Sequence, residues 1–233
     1  MDDDRSASVA AVAALAEPTR RRLYDHVARQ AHPVSRDDAA AALDLPRATA
    51  AFHLDRLVTD GLLDVHYQRR TGRTGPGAGR PAKLYRRAEC AVSVSLPERR
   101  YDLAGELLAE AMIQAQTSGE QPAVALDRAA YARGRELALR GGAGGTTDRR
   151  AAVLAVLEQH GFEPRLERDV VTLANCPFHA LARRHTELIC GMNLRLLDGV
   201  LDGVAESGLT AELDPLPGRC CVRLAAEVAG LHS

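Results

Sequence analysis

Ala50, Leu54, Leu57 and Gly61 recur at spacings of four, three and four, the period of a helix with one buried face. That pattern predicts a helix over residues 47–60, stopped by Gly61. Its outward face shows Ala48, Phe52, Asp55, Arg56 and Thr59, flanked by Arg47, Thr49 and Ala51. Ahead of it Ser35 suits the N-cap of a short helix over 36–43, where Ala39, Ala40 and Leu43 can pack closely on the next helix. Asp44-Leu45-Pro46 forms the turn between them. After Gly61 come Leu62-Leu63, a strand-like run over 64–68, an arginine- and glycine-rich stretch over 69–81, and a second strand-like run over 83–86.

The flanking pattern completes the fold class. Residues 8–30 read as helix interrupted at Pro18, with Ala10, Leu15, Leu23 and Val27 as buried contacts, and residues 1–7 as a frayed end. Residues 97–118 read as a long amphipathic helix with a stripe of Ala104, Leu107, Leu108, Ala111, Met112 and Ala115. A less oily helix follows over 127–140, then the glycine-rich linker 141–145. Thr147 is placed to cap a third helix over 148–160. Beyond it the period shifts: strands over 163–167 and 170–174, a helix over 186–206 capped by Thr186, and strands over 210–213 and 219–225. The expected chain is mainly α with an α+β tail. A winged helix-turn-helix spans 8–90, helical dimerisation elements 95–140, and a small sensor module 147–228.

Composition narrows the partners. The 233 residues are 46% hydrophobic and 26% charged, ordinary for a globular protein. Aromatics make up 3% with no Trp, which disfavours single-strand binding by base stacking. Net charge is -1, yet between His66 and Arg87 seven side chains are basic and none acidic, and local charge decides attraction to a polyanion. Asp2-Asp3-Asp4 stands where a secretory signal needs positive charge, and no run reaches the length of a membrane span. The expectation is a cytoplasmic, nucleoid-associated protein without membrane contact. Five cysteines then favour thiol or metal chemistry over a disulfide framework.

The basic hairpin has a physical use. Arg69, Arg70, Arg73 and Arg80 surround four glycines and two prolines. Glycine permits close backbone approach, and the guanidinium fork matches phosphate oxygens or a narrow minor groove. Base discrimination falls to Arg47, Thr49, Phe52 and Arg56, with Phe52 suited to a thymine methyl. His53 braces the helix or bonds a phosphate. The residues 15–20 (Leu-Ala-Glu-Pro-Thr-Arg), 48–57 (Ala-Thr-Ala-Ala-Phe-His-Leu-Asp-Arg-Leu) and Gly61-Leu62-Leu63 resemble the winged-helix core of ArsR-type bacterial repressors. The resemblance covers residues 10–88 and implies homodimeric binding to a double-stranded operator. The metal-sensing members' Cys-Val-Cys signature is absent from residues 39–43.

A second constellation lies in the tail: Asn175-Cys176-Pro177-Phe178-His179, then His185, Cys190, and Cys220-Cys221. Cys176 ends a strand. Cys190 falls in the first turns of a helix, where the dipole favours thiolate. Adjacent cysteines on a strand face opposite ways, so one of Cys220 and Cys221 reaches the site and the other is buried. With the winged helix, this tail resembles the iron–sulfur-assembly (suf operon) repressors, which hold a cluster with C-terminal cysteines. Cys176, Cys190 and Cys220 or Cys221 match three of that pattern's four positions; residues 203–213 lack the remaining cysteine. His179 or a carboxylate is left as fourth ligand, or the position stays open. An iron–sulfur cluster is the expected cofactor, with zinc or none as alternatives. Cys90 is assigned to packing in a strand between domains, His185 to the start of a helix, and His160 to a helix C-terminus where the dipole favours it.

These readings converge on a repressor, not an enzyme, whose cysteine site (Cys176, Cys190, Cys220, His179) senses redox or iron–sulfur status and sets the spacing of two wings. The helix over 97–118 is the expected dimer seam. The alternative is a winged-helix regulator of an organic effector, with structural cysteines. A thiol hydrolase or reductase using Cys176 is the third class; it finds no nucleophile elbow, phosphate-cradling loop or Cys-x-x-Cys in support.

Overall fold

A break after Val94 separates two units, Met1–Val94 and Ser95–Ser233. The computed structural model describes residues 2–68, 81–141, 148–216 and 218–226. The first unit runs α1 (Asp2–Ala14), α2 (Pro18–Ala28), β1 (Val34–Ser35), α3 (Arg36–Leu43), α4 (Arg47–Thr59), β2 (Leu63–Gln68) and β3 (Ala82–Arg87). Helix begins at Asp2 where a frayed end was expected, and the buried positions of α1 are Ala11 and Ala14, with Ala10 exposed. The phase of this alanine-rich segment was ambiguous because alanine suits either face.

Local chemistry sets the helix ends. Glu17 caps α2, its carboxylate accepting from the Thr19 and Arg20 amides at 3.0 and 2.6 Å. Ser35 caps α3 by accepting from Asp38 N–H at 3.2 Å. Gly61 has φ +73°, a left-handed turn that glycine adopts without a Cβ penalty. There the Leu62 amide reaches back to the Leu57 carbonyl at 2.9 Å, and the chain turns from α4 into β2. Leu23, Ala39, Ala50, Leu54, Leu57, Leu63 and Tyr85 are buried in one core. The antiparallel sheet has order β1-β3-β2, with Val34 opposite Tyr85 and Leu63 opposite Arg87. The two-residue β1 is too short to register as a periodic pattern.

The second unit contains α5 (Tyr101–Ser118), α6 (Pro122–Arg140), α7 (Arg149–Gln159), β4 (Pro164–Glu167), β5 (Val170–Leu173), α8 (His179–Arg184), α9 (Thr186–Val204), β6 (Leu209–Leu213) and β7 (Val222–Ala226). Its four strands form an antiparallel sheet of order β4-β5-β7-β6. Ile189, Met192, Leu196 and Val200 of α9 fill a core shared with Leu107, Ala130, Val156 and Leu224. The helices expected as a separate region thus lie in this unit, with α6 packed along α9. Glycine makes that approach possible: a Cβ on Gly134 would strike the Leu196 carbonyl, and one on Gly199 the Tyr131 carbonyl.

Several local expectations are corrected. Asp148 caps α7 through the Ala151 amide at 3.0 Å; Thr147 lies outside the described residues. Thr186 is the first residue of α9, not its cap, and donates to the Ala182 carbonyl at 2.8 Å. Met112 leaves the buried stripe of α5 and is 50% exposed. The helix over 97–118 starts at Tyr101, and the one expected from 127 starts at Pro122, which serves as its first-turn proline.

Candidate nucleic-acid interface and cysteine cluster

In the first unit α4 presents its outward face as the period predicts. Phe52 is 66% exposed. Ala48, Arg47 and Arg56 are also exposed, and Thr49 is half-buried. Neither guanidinium is idle. Arg47 pairs with Asp37 at 2.5 Å, and Arg56 with Asp60 at 3.1 Å one turn along the same helix. The exposed Arg47 pair contributes only about 0–1 kcal/mol, so a phosphate competes for Arg47 at small cost, whereas the Asp60 carboxylate is buried and also faces Arg20. His53 is mostly buried, its Nδ1 3.5 Å from a Glu17 carboxylate oxygen. It therefore packs between α4 and the cap of α2, its Nδ1 without a hydrogen-bond partner. Arg69, Arg70, Arg73 and Arg80 lie outside the described residues.

Asp55, seen in the sequence as one more outward residue, ties α4 to the hairpin. Its Oδ1 accepts from Lys83 Nζ at 2.6 Å and from the Tyr85 hydroxyl at 2.7 Å. Partial burial raises its pKa, but the bonds from Lys83 and Tyr85 outweigh that and hold it below the usual carboxylate range. Burial and the same carboxylate push the Tyr85 phenol up. The carboxylate neutralises one wing cation and fixes the strand that carries it. Nothing in the sequence signalled a contact thirty positions apart; the Arg56–Asp60 pair was readable from its spacing.

In the second unit four cysteines fall into two pairs. Cys176 lies in the loop after β5, Cys190 in the second turn of α9, and Cys220 and Cys221 in the bend leading into β7. Cys190 and Cys221 are joined as a disulfide with Cα atoms 6.4 Å apart. Cys176 and Cys220 are buried free thiols that lie against each other and shift each other's titration. Two expectations change. A bonded Cys190 is not a helix-stabilised thiolate. Cys220 and Cys221 precede the strand, so its alternation does not govern them, and each meets a different cysteine.

The two free thiols are unequal. The Cys220 thiol, the Phe178 amide and the Arg99 charge favour a thiolate at Cys176, against the opposing effect of burial, so its pKa lies below the usual thiol value. The neighbouring Cys176 sulfur and burial push Cys220 up. Asn193, fully buried on α9, donates from Nδ2 to Cys220 Sγ at 3.2 Å, while its Oδ1 has no hydrogen-bond partner. Sequence reading passed over Asn193, for its position on the helix gives no sign of sulfur contact.

His179 is exposed at the start of α8. Among the described residues no three His, Cys, Asp or Glu side chains form a group able to hold a metal ion, and the Cys190–Cys221 bond occupies two of the four sulfurs. In kind, thiols suit an iron–sulfur cluster or zinc; in this unit Cys176 and Cys220 are free thiols, while Cys190 and Cys221 are bonded to each other. Cys90 is exposed, its thiol donating to the Gly61 carbonyl at 3.2 Å. His160 is the C-cap of α7, as expected, but burial and the Arg100 charge push its pKa down to about 4, against the dipole. His185 stands between α8 and α9 as expected.

No helix among the described residues is long and apolar enough to cross a membrane. No curated protein and no solved structure matches the chain. A protein-family model described as a helix-turn-helix domain matches residues 15–66, the stretch from the end of α1 into β2. That match supports a DNA-binding transcription regulator of winged helix-turn-helix type, a class that is typically not enzymatic.

Proposed function

We propose that this chain is a homodimeric transcriptional repressor whose cysteine site in the second unit reports redox or iron–sulfur status to an operator-binding first unit. The reading is supported by one observation: in a chain that also carries a helix-turn-helix, Cys190 is bonded to Cys221 and Cys176 lies against Cys220, two cysteine pairs joined through adjacent positions of sequence. Phe52, Arg47 and Arg56 on α4, with the arginines of the hairpin tip, read and grip the duplex. The 64% exposure of Ile113, beside Met112 on α5, supports that helix as the dimer seam.

When reduced, Cys176, Cys190, Cys220 and Cys221 would hold the cluster or a zinc ion, Cys221 taking the place that His179 was expected to fill. A bound cluster supplies one-electron redox chemistry and sensitivity to oxidants. The residues of the chain supply burial, a thiolate-favouring setting at Cys176, and the Asn193 amide aimed at Cys220 sulfur. Hydrogen bonds to sulfur of this kind tune cluster potentials. The Cys190–Cys221 bond favours a second reading, in which the four cysteines sense oxidants as thiols and disulfides alone.

Anaerobic purification with iron, sulfide and zinc analysis separates the two. Iron and acid-labile sulfide with visible charge-transfer absorption support the cluster, and their loss in Cys176→Ser identifies that ligand. Metal-free protein with five titratable thiols after reduction supports the thiol reading. Metal content unchanged by Cys176→Ser would remove Cys176 from the ligand set.

A further inference from the structure

The loop that carries Cys176 is bonded to the first residues of its own unit. Arg99 Nη1 donates to Asn175 Oδ1 and, at 3.1 Å, to the Cys176 carbonyl. Buried Asn175 returns two bonds from Nδ2, to the Glu98 carbonyl at 3.0 Å and the Gly161 carbonyl at 2.6 Å. The Arg100 amide donates to the Pro177 carbonyl at 3.1 Å, and the Ala180 amide to the Tyr101 hydroxyl at 3.3 Å. Arg99 N–H is in turn bonded to Ser95 Oγ at 2.8 Å. Residues 95–101 are thus strapped to residues 175–180. They are also the stretch through which the chain passes from the helix-turn-helix unit, which ends at Val94, into α5.

We infer that Arg99 and Asn175 are positioning residues that transmit the state of the Cys176 sulfur to this strap, and so to the chain entering from the DNA-binding unit. The inference rests on the redox reading proposed above. Its basis is geometric. Cys176 is buried, so a new bond at its sulfur, to a cofactor or to Cys220, is accommodated by backbone movement more readily than by side-chain rotation in a close-packed interior. The atoms that feel that movement first are the Cys176 carbonyl and the neighbouring Asn175 side chain, and both are held by one guanidinium. A single nitrogen, Nη1, donates to both of these oxygens, so displacement of one alters its bond to the other. No partner outside the unit is needed for the strap to tighten or release.

The test uses the full-length chain, purified without oxygen, and a duplex that the wild-type chain selects from a random library. Two states are compared. In one a phosphine has converted the disulfide to two thiols, becoming the phosphine oxide with the oxygen of one water. In the other the azo oxidant diamide has taken two electrons and two protons from each thiol pair, becoming a hydrazine. For the wild type the Kd should differ between states by about fivefold or more, the lower end of ordinary site-to-site coupling. In Arg99→Ala and Asn175→Ala the difference should fall below about twofold, with thiol titre and cofactor content unchanged, and Arg99→Lys should restore only part of it.

A wild type that responds, with variants that respond by the same factor, overturns the inference and leaves the redox reading standing. A wild type that does not respond removes both. Should either variant lose its fold or cofactor, hydrogen exchange on the wild type decides. Protection of the Arg100 and Ala180 amides should change between the two states, and equal protection in a wild type that responds overturns the inference.

Discussion

Removing the Asp55 carboxylate tests how α4 is fixed to the hairpin. Tyr85 is only 1% exposed, and its hydroxyl donates to Asp55 at 2.7 Å. A hydrogen bond to a charged acceptor contributes about 1.5–3 kcal/mol, and a buried donor left without a partner costs about 1–3 kcal/mol. The Lys83 pair is largely exposed, so it adds about 0–1 kcal/mol. Asp55→Ala should therefore destabilise the first unit by about 2–3 kcal/mol. Tyr85→Phe, which leaves the carboxylate to Lys83 and water, should cost about 1 kcal/mol, with a coupling of about 1–2 kcal/mol in the double mutant. The assay is urea-dependent hydrogen exchange on the full chain, followed at amides of α4 and β3. Because the folded pKa of Asp55 is lowered, its contribution is fully present above the unfolded value near 3.8 and is lost as pH falls through the folded value. Asp55→Ala should lack that acid limb. A change under about 0.5 kcal/mol, or additive single mutants, would show that Asp55 does not hold the strand.

Three further outcomes are expected. Phe52→Ala should leave stability within about 0.5 kcal/mol, because the ring is exposed, yet weaken binding to the selected duplex by about 1–3 kcal/mol; a large stability loss with unchanged binding would make Phe52 a packing residue. Gly199→Ala should force α6 and α9 apart and cost about 3 kcal/mol or more in thermal unfolding, and a wild-type Tm would contradict the close approach at the Tyr131 carbonyl. In an NMR titration His160 should remain neutral down to about pH 4. Since the unfolded imidazole binds its proton near 6.5, His160 should withdraw stability as pH falls from 6.5 towards 4, whereas a midpoint at the ordinary value would refute its burial against Arg100.

The sequence was most informative where one physical rule acts locally. The Ser35 cap, the α4 stripe ending at Gly61 and the paired strands around the basic tip follow from capping, period and turn chemistry, and the structure places them within a residue or two. The phase of α1 was lost because alanine carries little preference between faces. The six-residue α8 and the two-residue β1 are too short to repeat any pattern. Long-range pairings were out of reach altogether. Asp55 was visible as an outward acid, but not its Tyr85 partner. The cysteines were visible as a cluster, while the alternation assigned to Cys220 and Cys221 failed because the strand starts only at Val222. Arg99 and Asn175 looked like ordinary polar residues, since their role depends on a contact seventy-six positions long.

The central claim is that the cysteine site governs DNA binding, and a single titration of the wild-type chain tests it. The selected duplex is titrated under anaerobic reduction, after oxidation, and after reduction again. The account predicts a reversible change in Kd of about fivefold or more that Cys176→Ser abolishes. Equal affinity through the whole cycle, from protein whose thiols are shown to have changed state, would contradict it.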